Sequence, residues 1–235
     1  ALAYDLAERA MVYGSVSRGY RANGVNANVL ASMDATDDPQ SIDRLARLQE
    51  FDEEHLFNYE LGFKGSFAEN TLRARLAVFY MDRDDQQVEI STQFDPSNPT
   101  TFVFFTDNAA QGRTLGLEAE LRWAIGDTLD LYANVGLLDA EFEEFVTPQV
   151  DLSGRAQAHA PDYTLAAGAS YRHPSGFFAR LDASARDAFY FDVSHDQTSQ
   201  PYELVNARVG YQADSWSVQL WARNLFDRSY AVRGF

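Results

Sequence analysis

Apolar and polar side chains alternate along much of this chain with a period of two. Between Thr71 and Met81 the even positions are Leu72, Ala74, Leu76, Val78 and Tyr80, while the odd ones include Thr71, Arg73 and Arg75. Successive side chains of a strand point to opposite faces, so this segment predicts a strand with one apolar and one charged face. The pattern recurs. Leu115, Leu117, Ala119, Leu121 and Trp123 oppose Glu118, Glu120 and Arg122; Leu129, Leu131, Ala133, Val135 and Leu137 oppose Asp130, Tyr132 and Asn134. Further strands are predicted around Tyr59–Phe63, Tyr163–Tyr171, Phe177–Ala185, Val205–Tyr211 and Trp216–Ala222, with Arg172, Arg180, Asp182, Arg186, Arg208 and Arg223 on their polar faces.

Five of these eight segments run nine to eleven residues, about the length a tilted strand needs to cross a bilayer, whereas strands of soluble domains run about five or six. Short turns are predicted at Ala68–Asn70, Ile125–Asp127, His173–Gly176 and Ala213–Ser215. Longer polar stretches lie between them at Arg21–Leu56, Gln93–Thr101, Glu144–Pro161 and Val193–Pro201. Short turns at one end and long loops at the other match a transmembrane antiparallel β-barrel with periplasmic turns and extracellular loops. Trp123, Tyr171, Phe177, Tyr211 and Trp216 sit beside the short turns on the apolar face, as an interfacial aromatic girdle would. Within the longest loop, Asp37-Asp38-Pro39 reads as a helix start.

Composition narrows the function. The formal net charge is −16 over 235 residues, which argues against nucleic acid as a partner, since phosphate binding needs a basic stripe. A mean hydropathy of −0.35 is what alternating lipid and lumen residues average to. With no cysteine, disulfides and thiolate metal sites are excluded. The pair Glu118 and Glu120 follows from alternation on one face, so catalysis is not expected. His55, His159, His173 and His195 lack metal-ligand spacing, and no resident metal or cofactor is expected.

Five stretches, in order, resemble the TonB-dependent outer-membrane receptors: Tyr13 to Arg21 (YGSVSRGYR), Asn58 to Gly65 (NYELGFKG), Ala77 to Tyr80 followed by Gln86-Gln87-Val88, Asn108 to Glu120, and Asn224 to Tyr230 (NLFDRSY). The resemblance covers nearly the whole chain and implies part of a 22-stranded barrel, about ten strands of it, with a plug domain, a TonB-contacting segment and a last strand outside residues 1–235. It implies an outer-membrane active transporter for a scarce nutrient, with a ferric siderophore the leading candidate, energised through the TonB complex. On that reading Arg18, Tyr20, Arg21, His159 and Tyr190 would meet ligand at the outer rim. Arg73, Arg75, Glu118, Glu120, Arg122, Asp130, Arg180, Asp182, Arg186, Arg208 and Arg223 would face the lumen and its plug. Two other architectures stay open at this point: a self-contained outer-membrane adhesin or enzyme barrel, and a soluble β-propeller or carbohydrate-binding module.

Overall fold

The computed structural model describes residues 1–93, 101–147, 150–193 and 195–234. In chain order the elements are β1 (Leu2–Ala7), β2 (Ala10–Arg21), β3 (Gly24–Val25), α1 (Ala27–Asp34), α2 (Pro39–Ala46), β4 (Glu50–Phe51), β5 (Glu54–Phe67), β6 (Leu72–Gln93), β7 (Phe102–Ile125), β8 (Leu129–Phe145), β9 (Tyr163–Arg172), β10 (Phe177–Arg186), β11 (Tyr202–Gln212) and β12 (Ser217–Ala222). Ten strands form one sheet in the order β1-β2-β5-β6-β7-β8-β9-β10-β11-β12, and β3 pairs with β4 in a separate ribbon. Every pairing is antiparallel.

The predicted short turns join neighbouring strands. Ala68, Glu69 and Asn70 all take positive φ, and Gly126 and Gly176 do so at the next two. At Gly176 the backbone is held by hydrogen bonds from Gly176 N–H to His173 O and from Gln212 N–H to Gly176 O. A Cβ on Gly176 would fall 2.2 Å from Gln212 O, so a side chain here meets both a steric and a conformational barrier.

The register carries the alternation coherently across the sheet. Leu61 lies opposite Val78, Val78 opposite Leu117, Leu117 opposite Leu137 and Leu137 opposite Tyr163. Directly opposed residues share a face, so one face is a continuous apolar surface. It is left bare: Leu61 is 71% exposed and Leu220 75%. An apolar patch this extensive marks a surface that meets lipid or another protein. No helix is long and apolar enough to cross a membrane; strands do the crossing.

Among the described residues, conventional cores occur only beyond the band. Val29 of α1 and Leu45 of α2 pack with Val103 and Phe105 of the extended β7. A second cluster joins Val88, Ala110, Phe142, Phe145 and Leu152. These raise the β6–β7 hairpin above the rim, which accounts for strands of 22 and 24 residues, longer than a bilayer requires. Asp38 caps α2, accepting from Ser41 N–H at 2.8 Å, with Pro39 in the first turn, as the Asp-Asp-Pro signal predicts. Helix α1 was not expected. Its low amphipathicity hides it, and its place is set by the contact of Val29 with β7 and α2.

Candidate functional site

On the apolar face the lipid band has two edges. At the short-turn end Trp123 lies beside Leu72, Tyr171 beside Leu129, and Phe177 opposite Tyr211, with Trp216 5.6 Å from Tyr211. At the far end Tyr59 lies opposite Tyr80, their rings 6.4 Å apart. One step further up the same face the residues become charged: Asp82, Arg113, Asp139 and Glu141. Arg113 pairs there with Glu141 at 2.7 Å. From Leu115 to Trp123 the band spans about 27 Å of strand, or about 21 Å of height at barrel tilt, close to the ~25 Å of known barrels. The far-end tyrosines were a readable signal: they sit on the apolar parity immediately before the charges begin.

The opposite face collects the predicted polar residues. Rows of opposed positions run Arg73–Arg122–Tyr132–Gly168–Asp182–Asn206, then Arg75–Glu120–Asn134, and Asp130–Ser170–Arg180–Arg208. Glu118 and Arg186 join a further row through Gly136 and Thr164. Arg223 lines a hollow with Arg180, Asp182 and Arg208. Carboxylates and guanidiniums pair along this face: Glu120 holds Arg122 at 2.8 Å and Arg75 at 3.4 Å, Asp130 holds Arg172 at 3.0 Å, and Asp182 holds Arg180 at 2.8 Å.

A second repeat runs through the same face. Four cross-strand pairs set an aromatic ring over a glycine: Tyr13 on Gly62, Phe79 on Gly116, Tyr132 on Gly168 and Phe178 on Gly210. A Cβ on these glycines would lie 2.1 to 2.4 Å from the ring, so only glycine lets the ring lie flat. Cations then perch on three of the rings: Lys64 4.8 Å from Tyr13, Arg180 6.0 Å from Tyr132 and Arg208 5.8 Å from Phe178. Tyr13 also donates to Glu60 at 2.6 Å. The result is a wall with flattened rings and raised charge, lining a hollow of about 560 Å³ beside Tyr13, Lys64, Arg75, Glu118 and Asn134.

The expected rim residues divide. Arg18 lies opposite Phe57 and Tyr20 opposite His55, on the parity of Val16 and Tyr59, which is the outer apolar face. Arg18 stacks on Phe57 at 5.4 Å, and Tyr20 is 74% exposed. Their expected ligand-facing position is therefore corrected: period-two geometry turns both outward, and of the three only Arg21, opposite Glu54, has the inward parity. His159 and Tyr190 are brought together, with His159 N–H donating to Tyr190 O at 2.9 Å and the His159 ring 5.5 Å from Phe189.

Three amides to which the sequence alone assigns no role organise the rim. Asn26 donates to Leu48 O and Thr106 O and accepts from Thr106 N–H at 2.9 Å. Gln87 donates to Ala22 O and Asp52 O, and Asn108 bridges Asp52 and Asp85. Gln87 and Asn108 fall inside the quoted motifs, which was the available clue. Among the described residues no group of three or more His, Cys, Asp or Glu is placed to hold a metal.

Comparison with known proteins agrees with this wall. The family described as "TonB dependent receptor-like, beta-barrel" matches residues 1–225. The chain belongs to the TonB-dependent receptor barrel family. Its members are outer-membrane proteins, transport receptors rather than enzymes. Among the relatives, a probable TonB-dependent siderophore receptor, PiuA, of Acinetobacter baumannii is 24% identical over 199 residues, covering 81% of this chain and 25% of that protein. The solved ferric yersiniabactin uptake receptor FyuA of Yersinia pestis superposes with a TM-score of 0.73 at 21% identity, over 99% of this chain and 32% of FyuA. The structure of PiuA gives 0.71 at 20% identity, over 97% and 31%. The chain thus spans about a quarter to a third of the relatives it matches, and the family barrel is the fold rather than a propeller or a self-contained small barrel.

Proposed function

We propose that this chain is part of the wall of an outer-membrane receptor that imports a ferric siderophore, energised through TonB. The supporting observation is the pairing of a family match over residues 1–225 with a sheet whose one face suits lipid and whose other is lined by Arg, Lys, Asp and Glu. The relatives named above are siderophore receptors. The wall does no bond chemistry. Its outward face holds the protein in lipid, its inward face borders the path and a plug domain lying outside this chain, and its long connections build the capture surface.

Ligand specificity belongs to the rim around Arg21, His159 and Tyr190. There the β2–β5 connection is pinned to β6 and β7 by Asn26, Gln87 and Asn108, while the β8–β9 and β10–β11 connections are bound to each other. The test is uptake of radioactive iron, supplied as purified siderophores, by iron-starved cells with and without the full-length gene. Uptake of at least one ferric siderophore should vanish on deletion and also on loss of TonB. Undiminished uptake of every siderophore of the native host would refute the proposal.

A further inference from the structure

Charge is divided unevenly between the two ends of the wall. Residues 21–56, 82–93, 101–113, 139–147, 150–162, 186–193 and 195–203 lie above the long-loop edge of the lipid band. They hold 23 of the chain's 35 carboxylates and seven of its 19 Lys and Arg. Their balance of −16 equals that of the whole chain, and the remaining residues hold 12 of each sign. Three of the seven bases, Arg83, Arg113 and Arg155, are already held by Glu54, Glu141 and Asp196. One-to-one pairing of all seven would still leave 16 carboxylates over. Among the described residues no three of His, Cys, Asp or Glu gather to chelate a metal, so the excess acts through its summed field. Loops that needed charge only to stay solvated could carry both signs, as the rest of the chain does.

A second observation, on the inward face, points to the same kind of partner. Gln87 donates its side-chain amide to Ala22 O and Asp52 O, which fixes its orientation and leaves its Oε1 without a donor. Gln86 Oε1 also lacks a donor and fills the space over Gly112, 2.3 Å from where a Cβ would lie. Gly112 opposes Arg83 on the inward face. The two glutamines are 6% and 7% exposed. Asn58 Oδ1, two positions above Glu60 on that face, is a third acceptor without a donor. Against them stands the donor Arg155 Nε, whose guanidinium is otherwise bound to Asp196 and His195 O. Buried acceptors without donors are unfavourable, so this stretch favours a molecule that brings N–H groups.

We propose that the ferric siderophore taken at this rim carries net positive charge and presents amine or guanidine N–H donors. The acidic rim draws it in, and acceptors such as Gln86 Oε1 receive it. A polyanionic ferric complex would be repelled by the same field. The inference rests on the transport-receptor reading above and adds the charge of the substrate, which that reading leaves open.

The probe is radioactive iron loaded onto siderophores purified from spent medium of the native host. Each complex whose uptake requires the full-length gene is run by electrophoresis at neutral pH and should migrate to the cathode. Its association with purified full-length receptor should slow about ten-fold between ~0.01 and ~0.3 M salt. Asp34→Asn/Asp37→Asn, at exposed positions of the β2–β5 connection, should slow association about two-fold at low salt and leave dissociation unchanged. Gln86→Leu should instead speed dissociation. A gene-dependent complex that moves to the anode or stays at the origin would overturn the inference, as would an association rate that rises with salt or ignores it. The receptor reading survives that result, because gene-dependent uptake is measured separately; it falls only if no complex depends on the gene.

Discussion

The backbone N–H of His159 donates to the carbonyl oxygen of Tyr190 across 2.9 Å, tying the β8–β9 connection to the β10–β11 connection. Arg155 strengthens the tie from the first connection. Its guanidinium stacks 4.0 Å from the Tyr190 ring, pairs with Asp196 at 2.7 Å and donates to His195 O. Arg155→Ala is expected to separate the two connections at a cost of about 1–3 kcal/mol. Hydrogen exchange at the His159 amide should then accelerate while that of β9 stays unchanged. Arg155→Lys should recover only part of the effect, because an ammonium cannot stack and fork at once.

The turn after β12 depends on one side chain. Asn224 takes a positive φ of 49°, accepts from Arg228 N–H at 2.9 Å and donates to Arg228 O at 2.9 Å. It also ends the strand, handing Leu225 N–H to Val205 O. Asn224→Gly keeps the backbone conformation but loses both bonds, whereas Asn224→Ala loses the bonds and strains the backbone. The expected order of local protection at Arg228, read by hydrogen exchange, is Asn, then Gly, then Ala, the last down by about 1–3 kcal/mol.

The cap of α2 gives a pH dependence. The Ser41 hydroxyl and amide, both donating to Asp38, hold its carboxyl below the ordinary value of 3.8. A depressed folded-state value means that the cap's contribution is present above 3.8 and is lost as pH falls through the folded value. Exchange at Ser41 should therefore be protected at neutral pH and rise in acid below 3.8. In Asp38→Ala the acid dependence should be absent. A steady Ser41 exchange across that range in the wild type would contradict the assignment.

How much of this was legible in the sequence follows from what each side chain faces. A residue such as Leu76 or Arg75 sees one of two environments, lipid or polar interior, so its chemistry reports its face. Eight of the ten strands of the large sheet, their turns and the polar row could be read that way. Arg18 and Tyr20 misled because above the lipid band the outer face is also wet. A charged or phenolic side chain there is as comfortable outward as inward, and only the register to Phe57 and His55 decides. The rim's order was hidden for another reason. Asn26, Gln87 and Asn108 act by bonding backbone atoms as far as 80 positions away, and a lone amide carries no periodicity.

The flattened rings make a further expectation. Gly62→Ala would drive a methyl into Tyr13, at 2.2 Å from its ring, and the strand has no room to give. Tyr13 should lift away, losing its bond to Glu60 and its place beneath Lys64. The expected loss is about 1–3 kcal/mol, measured as a lower urea midpoint of the refolded full-length protein in lipid. Gly62→Ala with Tyr13→Leu should restore part of it, since the ring is the obstacle.

The account rests on one face meeting lipid and the other the barrel interior, and the absence of cysteine from the chain allows this to be read residue by residue. Single cysteines from Leu72 to Tyr80, each carrying a nitroxide, in the full-length protein with any cysteine outside residues 1–235 replaced by serine, are compared in lipid for collision with oxygen and with a water-soluble nickel chelate. Leu72, Ala74, Leu76, Val78 and Tyr80 should favour oxygen and Arg73, Arg75, Ala77 and Phe79 should not, giving a period of two. A flat profile, or nickel access at Leu76 equal to that at Ala77, would contradict the wall described above.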